Sequence, residues 1–195
     1  HPETLLLCVW GNRWPSSWSY MQFTNSPHIE TLPPPSESGE LQIDKWFGQF
    51  GIGHQNVFAF KSYPHRETQN LMREADVALF PNRCEGGTNL VAMEAMACGI
   101  PTIISRNTGH LDIIHNGACL PIESQRAVPS PGPLFDTDGW GESSVEEIVE
   151  HLEFVYQNRD SAAEIGLRGA ERMRDLSWAR QVDELLTFVE SHGLS

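Results

Sequence analysis

Basic residues, cysteines and long apolar runs are all scarce in this sequence. Its 195 residues include 13 Lys plus Arg and 26 Asp plus Glu, which gives a formal net charge of −13. A surface with so few cations neutralises few phosphates, so we expect no nucleic acid partner. No apolar run reaches the ~18 residues that a membrane span needs, so we expect no integral membrane segment. Any anionic ligand must therefore be bound at one local site.

The four cysteines form neither a C-x-x-C pair nor the dense pattern of a disulfide scaffold. We therefore predict reduced thiols, which are typical of cytoplasmic proteins. The opening residues His1-Pro2-Glu3-Thr4 lack the basic segment that begins a signal peptide, so the predicted localisation is cytoplasmic. Because the chain begins without Met, we expect it to be part of a longer protein.

Short apolar runs alternate with helical patterns along the chain. Such alternation is typical of an α/β protein with a Rossmann-like parallel sheet and helices on both faces. Helices are predicted for 41–50, 67–75 and 90–98, the last ending at Gly99-Ile100-Pro101. The predicted strands are Leu5–Trp10, Val57–Phe60, Val77–Phe80, Thr102–Ser105 and Ala118–Leu120.

The last part of the chain is predicted to be helical, after a loop rich in proline and glycine at Ser124–Gly139. Ser144 and Glu147 have the spacing of a capping box, and apolar residues recur behind them at helical spacing. Two further helical patterns follow, one from Ser161 and one from Trp178. We assign residues 143–191 as the C-terminal helices of a single domain that covers 1–195.

The stretch from Ala75 to Pro101 carries the strongest functional signal. It is predicted to be a strand, a loop that contains Gly86 and Gly87, and a helix that begins near Thr88. At the carboxyl edge of a parallel sheet, such a junction leaves backbone N–H groups and the positive end of the helix dipole free. These groups bind a diphosphate without a cluster of lysines.

Glu94 is the one charged residue in the apolar run Leu90–Cys98, whose side chains are all expected to be buried. A buried carboxylate requires a hydrogen-bonding partner. Two interpretations remain open on the helix pattern alone. Either Glu94 binds the hydroxyl groups of a sugar, or a neighbouring backbone group or Arg satisfies it.

These residues resemble the donor-binding half of the nucleotide-sugar-dependent glycosyltransferases of the two-domain GT-B fold, in the large retaining group called family four. The family signature is a strand ending in Pro-Ser, then Glu-Gly-Phe-Gly, then Glu-Ala-Met-Ala-x-Gly-x-Pro-Val. Here Phe80-Pro81-Asn82, Glu85-Gly86-Gly87 and the run from Glu94 to Thr102 stand in those places. The similarity is clear over residues 57–115. It implies that the chain is the C-terminal half of a GT-B fold.

The resemblance also implies roles for individual residues. Glu94 would bind the ribose hydroxyls of the nucleotide, and Glu85, as the catalytic residue, would face the transferred sugar. The other implied donor-binding residues lie in the glycine turn and in the loops after the second and fourth predicted strands, namely Gly86, Gly87, Thr88, Asn89, Leu90, Lys61, Ser62, Tyr63, Gly109 and His110.

Two departures from the family pattern affect this site. Eight residues separate Glu85 from Glu94, where the family usually has seven, so the extra residue must be absorbed within Gly86–Asn89. The family's phosphate-binding Arg and Lys have no clear counterpart, and we expect that pair to lie upstream of this chain. Arg13 and Lys61 are the alternatives, with a surface role favoured for Arg13.

No metal site is predicted. The run from His110 to His115, with Cys119 nearby, does not match the spacing of structural zinc sites, and GT-B enzymes generally require no bound metal. Cys84 beside Glu85 has no identifiable His partner, so we do not predict it as a nucleophile. No permanently bound cofactor is expected either.

The function that the resemblance implies is binding of a nucleoside diphosphate sugar and transfer of its glycosyl group to an acceptor, with retention of configuration. The implied partner is a missing N-terminal Rossmann domain, because transfer takes place between the two halves. This chain alone is therefore expected to be inactive. The alternative is a non-catalytic nucleotide-sensing or protein-interaction module of GT-B ancestry, and a GT-B epimerase is a second enzymatic alternative.

Overall fold

The computed structural model describes residues 1–9, 43–51, 56–60, 63–115, 117–130, 132–133 and 136–193. The chain divides into two compact units, His1–Thr68 and Gln69–Ser195. The single domain expected over residues 1–195 stays a prediction.

The first unit contains a parallel pair of strands, β1 (Leu6–Val9) and β2 (Val57–Phe60). Helix α1 (Ile43–Gln49) contributes Phe47 to a small core, where it packs with Cys8 of β1. The predicted first strand extended to residue 10, which lies outside the described residues.

The second unit is built on a three-stranded parallel sheet. Its strands are β3 (Ala78–Phe80), β4 (Thr102–Ser105) and β5 (Leu120–Ile122), with β4 in the middle. All four residues of β4 are buried. Because the strands are parallel, their carboxyl ends lie along one edge of the sheet. The predicted α/β architecture with parallel strands is therefore confirmed.

Helices follow or flank these strands, and most agree with the predicted positions. The strand β5 lies two residues later than predicted, because Ala118 and Cys119 form a buried turn before it. A 3₁₀ helix, Thr108–Asp112, follows β4. The α-helices after α1 are α2 (His65–Arg73), α3 (Leu90–Ala97), α4 (Val145–Gln157), α5 (Arg159–Asp175) and α6 (Trp178–Ser191).

A second, small sheet pairs β6 (Gln125–Ala127) with β7 (Gly141–Ser143) in antiparallel orientation. The predicted loop over Ser124–Gly139 is wrong at β6, and the predicted helical range 143–191 differs from the structure only at its first residues, because Ser143 ends β7. Each strand has three residues, which is too short for a period of two to be recognised in the sequence. The first C-terminal helix begins at Val145, with Ser144 as its N-cap.

Helix α3 packs one side against the main core of the second unit. Met96 is fully buried there with Ile104 of β4 and Ile113. The expectation that the whole run Leu90–Cys98 is buried is wrong, because Leu90 is 71% exposed and Val91 is 52% exposed. The first turn of α3 thus presents apolar side chains to solvent.

Helix α5 approaches the backbone around α3 closely. A Cβ atom on Gly166 would lie 2.1 Å from the carbonyl oxygen of Gly99, which follows α3. A Cβ atom on Gly169 would lie 2.8 Å from the carbonyl oxygen of Ala118. Real Cβ atoms do not come so close to backbone oxygen, so this packing requires glycine at both positions.

Half of the predicted capping box is present at the start of α4. The hydroxyl of Ser144 accepts a hydrogen bond from the backbone N–H of Glu147 at 3.2 Å. The Glu147 carboxylate, however, accepts from the backbone N–H groups of Glu123 and Ser124 at 2.9 and 2.7 Å. It therefore anchors the segment between β5 and β6 instead of completing the box.

Helix α6 confirms the predicted third C-terminal helix, yet none of its residues is buried among the described parts of the chain. Trp178 is 87% exposed and Leu185 is 61% exposed. No helix in the described ranges is both long and apolar enough to cross a membrane.

Candidate functional site

The strand–turn–helix junction predicted from the sequence lies at the carboxyl edge of the parallel sheet. Strand β3 ends at Phe80, and α3 begins at Leu90, the first residue of the helix predicted over 90–98. Asn89 is the N-cap, with a left-handed φ of 61° and ψ of 81°. Its side-chain oxygen accepts a hydrogen bond from the backbone N–H of Ala92 at 3.1 Å. The residues Glu85–Asn89 are called the glycine turn below.

The glycine turn and the first two residues of α3 present a run of free donors. Within the described part of the chain, six consecutive backbone N–H groups have no hydrogen-bond acceptor, those of Gly86, Gly87, Thr88, Asn89, Leu90 and Val91. Gly86 and Gly87 are exposed. Free N–H groups at a helix N-terminus attract anions, because the helix dipole adds to their own partial positive charge.

The loop after β4 holds the first residue of this turn. The hydroxyl of Thr108 accepts a hydrogen bond from the backbone N–H of Glu85 at 2.7 Å. The N–H of Gly109 donates to the carbonyl oxygen of Glu85 at 3.2 Å. Both backbone groups of Glu85 are thus bound by the protein. Gly109, predicted as a donor-binding residue, lies directly against the turn.

The same loop also reaches the last residue of the turn through His110. This side chain is fully buried, and its Nε2 lies 2.8 Å from the side-chain nitrogen of Asn89. On the other side of the ring, Nδ1 lies 2.9 Å from the hydroxyl and 3.0 Å from the carbonyl oxygen of Ser105. Burial lowers the pKa of His110, although the Ser105 carbonyl and the charge of Glu85 act in the opposite direction.

The two predicted carboxylates lie at either end of the junction. Glu85 in the turn and Glu94 in α3 are both half-buried. Within the segment that must absorb the additional residue, the left-handed position is Asn89, and neither Gly86 nor Gly87 has a positive φ. The longer spacing is therefore accompanied by an asparagine that both turns the chain and caps the helix.

The structure does not test the other predicted donor-binding residues. Lys61, Ser62 and Arg13 lie outside the described residues, so their predicted roles stay predictions. Tyr63 is half-buried and belongs to the first unit.

Sequence reasoning missed two residues that support the site, Ser105 and Asn107. The hydroxyl of Ser105 donates to the carbonyl oxygen of Asn82 at 2.7 Å, and the Asn107 amide donates to the same oxygen at 2.9 Å. Ser105 ends β4 and Asn107 follows it, at the carboxyl edge of the sheet, where polar residues are typical of ligand-binding loops. Their position at the end of a predicted strand is the signal in the sequence that indicates a role at this site.

The described residues hold no group of three or more His, Cys, Asp or Glu side chains that could bind a metal ion. All four cysteines are free thiols. Burial, followed by the charge of Glu85, raises the pKa of Cys84, which disfavours the nucleophilic thiolate.

A separate cleft of about 630 Å³ lies near the segment before β5 and the end of α5. It contains no residue of the glycine turn. The charged side chains that line it are Arg168, Glu171, Arg172, Arg174, Asp175 and Arg180.

The sequence of this chain matches a family model described as "Family 4 Glycosyltransferase in conflict systems" over residues 41–185. The chain belongs to this family. The resemblance predicted from residues 80–102 is thereby confirmed, and the glycine turn lies inside the matched range. No curated protein matches this family 4 glycosyltransferase chain in sequence.

Solved structures support the same fold for this family 4 glycosyltransferase chain. HepE of Anabaena in complex with UDP is 14% identical, with a TM-score of 0.60 over 96% of this chain and 42% of that one. Sucrose-phosphate synthase of Thermosynechococcus elongatus is 17% identical, with a TM-score of 0.60 over 100% of this chain and 47% of that one. HepE in complex with UDP-glucose is 13% identical, with a TM-score of 0.57 over 95% of this chain and 49% of that one. This chain thus spans less than half of each of these structures, and the predicted GT-B type of fold is confirmed.

Proposed function

We propose that this chain is the donor-binding part of a glycosyltransferase and binds a nucleoside diphosphate sugar at the glycine turn. The observation that carries the proposal is the run of six free N–H groups, Gly86–Val91, at the start of α3. These groups lie at the carboxyl edge of a parallel sheet, where ligands of such sheets bind. They provide positive potential in a chain whose formal net charge is −13.

The two carboxylates would then bind the rest of the donor. A half-buried carboxylate accepts hydrogen bonds from hydroxyl groups, and α3 places Glu94 one to two turns beyond the free N–H groups. We assign the ribose hydroxyls to Glu94 and the transferred sugar to Glu85. The diphosphate lies between them in this arrangement, on the backbone of Gly86–Leu90.

Uridine diphosphate sugars are the first donors to test. HepE, which shares the fold at 14% identity, was solved with UDP and, in another structure, with UDP-glucose. The acceptor would bind to a second, N-terminal Rossmann domain, and transfer would proceed with retention. Because this chain spans 42% of HepE, we propose that it does not transfer sugar by itself.

Isothermal titration calorimetry with UDP, GDP and ADP tests the donor site. We expect one of the three to bind, and we expect Glu94→Gln to weaken its binding by roughly tenfold, because a charged acceptor contributes about 1.5–3 kcal/mol. Glu150→Gln, at an exposed position of α4, is the matched control and should bind like the unchanged chain.

Absence of binding by all three nucleotides would overturn the donor site and favour a protein-interaction module. Equal losses in Glu94→Gln and Glu150→Gln would contradict the role of Glu94. Release of free sugar or sugar transfer by the isolated chain would contradict the proposal that it is inactive alone.

A further inference from the structure

We propose that His110 is a positioning residue, whose neutral ring holds Asn89 in the left-handed conformation that the glycine turn requires. This inference rests on the proposed function only where it concerns nucleotide affinity. The juxtaposition that carries it is the 2.8 Å contact between His110 Nε2 and the Asn89 side-chain nitrogen, at a ring with no exposed surface.

The hydrogen-bond pattern determines which ring nitrogen carries the proton. The backbone N–H of Ala92 can only donate, so the Asn89 atom that faces it at 3.1 Å is the oxygen. The Asn89 nitrogen therefore faces His110 and donates to Nε2, which must be an acceptor. The proton of the neutral ring then lies on Nδ1 and is donated to Ser105.

Ser105 completes the arrangement without a conflict. Its hydroxyl donates to the carbonyl oxygen of Asn82 at 2.7 Å, which leaves the hydroxyl oxygen as an acceptor towards Nδ1 of His110. Every polar atom of the ring thus has a partner of the correct type. Removing one partner from such a buried network leaves another group unsatisfied.

Asn89 needs this support because of its backbone. A φ of 61° is uncommon for residues other than glycine, and asparagine tolerates it better than most. The side chain of Asn89 is bound at both ends, by Ala92 through its oxygen and by His110 through its nitrogen. The direction of the adjacent free N–H groups depends on that backbone conformation.

One loop therefore holds both ends of the glycine turn. Thr108 and Gly109 bind the backbone of Glu85 at its start, and His110 binds the side chain of Asn89 at its end. Gly86, Gly87 and Thr88 lie between the two attachment points. Loss of the second attachment unlinks Asn89 from this loop, and its side chain is then held by the N–H of Ala92 alone.

Three variants of the 195-residue chain test the role of His110 in nucleotide binding. His110→Leu removes the acceptor, and we expect roughly tenfold weaker UDP binding, which is the usual effect of losing one buried hydrogen bond. His110→Gln can place its side-chain oxygen near the position of Nε2, and we expect it to restore most of the affinity. Gly166→Ala disturbs the packing of α5 far from the turn in sequence and should lower stability without changing the affinity.

A double-mutant cycle separates positioning from general stability. Asn89→Gly keeps the left-handed conformation accessible but removes the side chain that His110 binds. If His110 acts through Asn89, adding His110→Leu to Asn89→Gly should weaken UDP binding by less than twofold. If His110→Leu weakened UDP binding by the same factor in the unchanged chain and in Asn89→Gly, the proposal would be overturned.

A measurement without nucleotide keeps the two proposals distinguishable. In ¹⁵N NMR spectra we expect His110 to show a protonated Nδ1 and an unprotonated Nε2, and the backbone amide signals of Gly86–Leu90 to move in His110→Leu but not in Gly166→Ala. If UDP, GDP and ADP all fail to bind while these signals behave as expected, the donor site is wrong and the positioning role stands. A proton on Nε2, or unchanged turn signals in His110→Leu, would overturn the positioning role.

Discussion

A Cβ atom on Gly109 would lie 1.4 Å from the carbonyl oxygen of Gly87, so the loop after β4 packs directly against the glycine turn after β3. The same hypothetical atom would lie 2.9 Å from the carbonyl oxygen of Glu85. Any side chain at residue 109 must therefore displace the turn. Steric fit and hydrogen bonds act together here, because the N–H of Gly109 also donates to Glu85.

Replacing Gly109 by alanine should consequently damage the donor site. We expect Gly109→Ala to lower the free energy of unfolding by about 1–3 kcal/mol through overpacking and to reduce nucleotide binding at least tenfold. Chemical denaturation and calorimetric titration measure the two effects. Gly132→Ala, where a Cβ atom meets nothing within 4 Å, is the control and should change neither quantity. A Gly109→Ala chain with normal affinity would contradict the arrangement described.

A second prediction, about stability, follows from the contact between α5 and the end of α3. Alanine is favoured over glycine in a helix by about 1 kcal/mol, so Gly48→Ala in α1, where the space is open, should stabilise the protein. Gly166→Ala should instead lower the free energy of unfolding by about 1–3 kcal/mol, because its Cβ would meet the carbonyl oxygen of Gly99. Denaturation curves of both variants test this, and the same sign of change in both would contradict the close packing.

Stability should decrease in mildly acidic solution because of His110. Burial lowers the pKa of His110 below its ordinary value of 6.5, against the opposing effects of the Ser105 carbonyl and the charge of Glu85. The unfolded chain then binds the proton more readily, so this contribution to stability is complete above pH 6.5 and is lost as the pH falls through the lowered value. Denaturation at several pH values should show that the free energy of unfolding depends less steeply on pH in His110→Gln than in the unchanged chain. An identical dependence in both proteins would contradict the prediction.

Glu147 also makes the stability of the protein depend on pH, in a more acidic range than His110 does. Burial by itself raises the pKa of Glu147, but hydrogen bonds from Glu123 and Ser124 and the nearby His151 outweigh it and lower the pKa below the ordinary value of 4.5. The stabilisation is therefore present above pH 4.5 and is lost as the pH falls through the lowered value. At pH 7 we expect Glu147→Gln to lower the free energy of unfolding by about 1–2 kcal/mol.

The matched control for that measurement is Glu150→Gln. Glu150 is on the same helix, α4, but its side chain is exposed. Denaturation at pH 7 should show no change beyond about 0.5 kcal/mol for this variant. Equal effects of the two substitutions would show that the charge of α4, and not the bonds to Glu123 and Ser124, determines the loss.

The local signals in the sequence predicted some features well. The strand Thr102–Ser105 and the helix that follows Asn89 were recognised because apolar runs, glycines and a proline lie next to one another in the chain. The strands β6 and β7 were not recognised, because three residues are too few to show a periodic pattern. The burial of Leu90 and Val91 was predicted wrongly, because hydrophobicity does not reveal which side of a helix meets the core.

By itself, the sequence determined the parallel α/β class, the family and the position of the glycine turn, since each depends on residues adjacent in the chain. Only the tertiary structure decided how that turn is held. Thr108 is 23 residues from Glu85, and His110 is 21 residues from Asn89, so no local pattern links the members of either pair. Strand β4 brings them together, because parallel strands deliver their following loops to the same edge of the sheet.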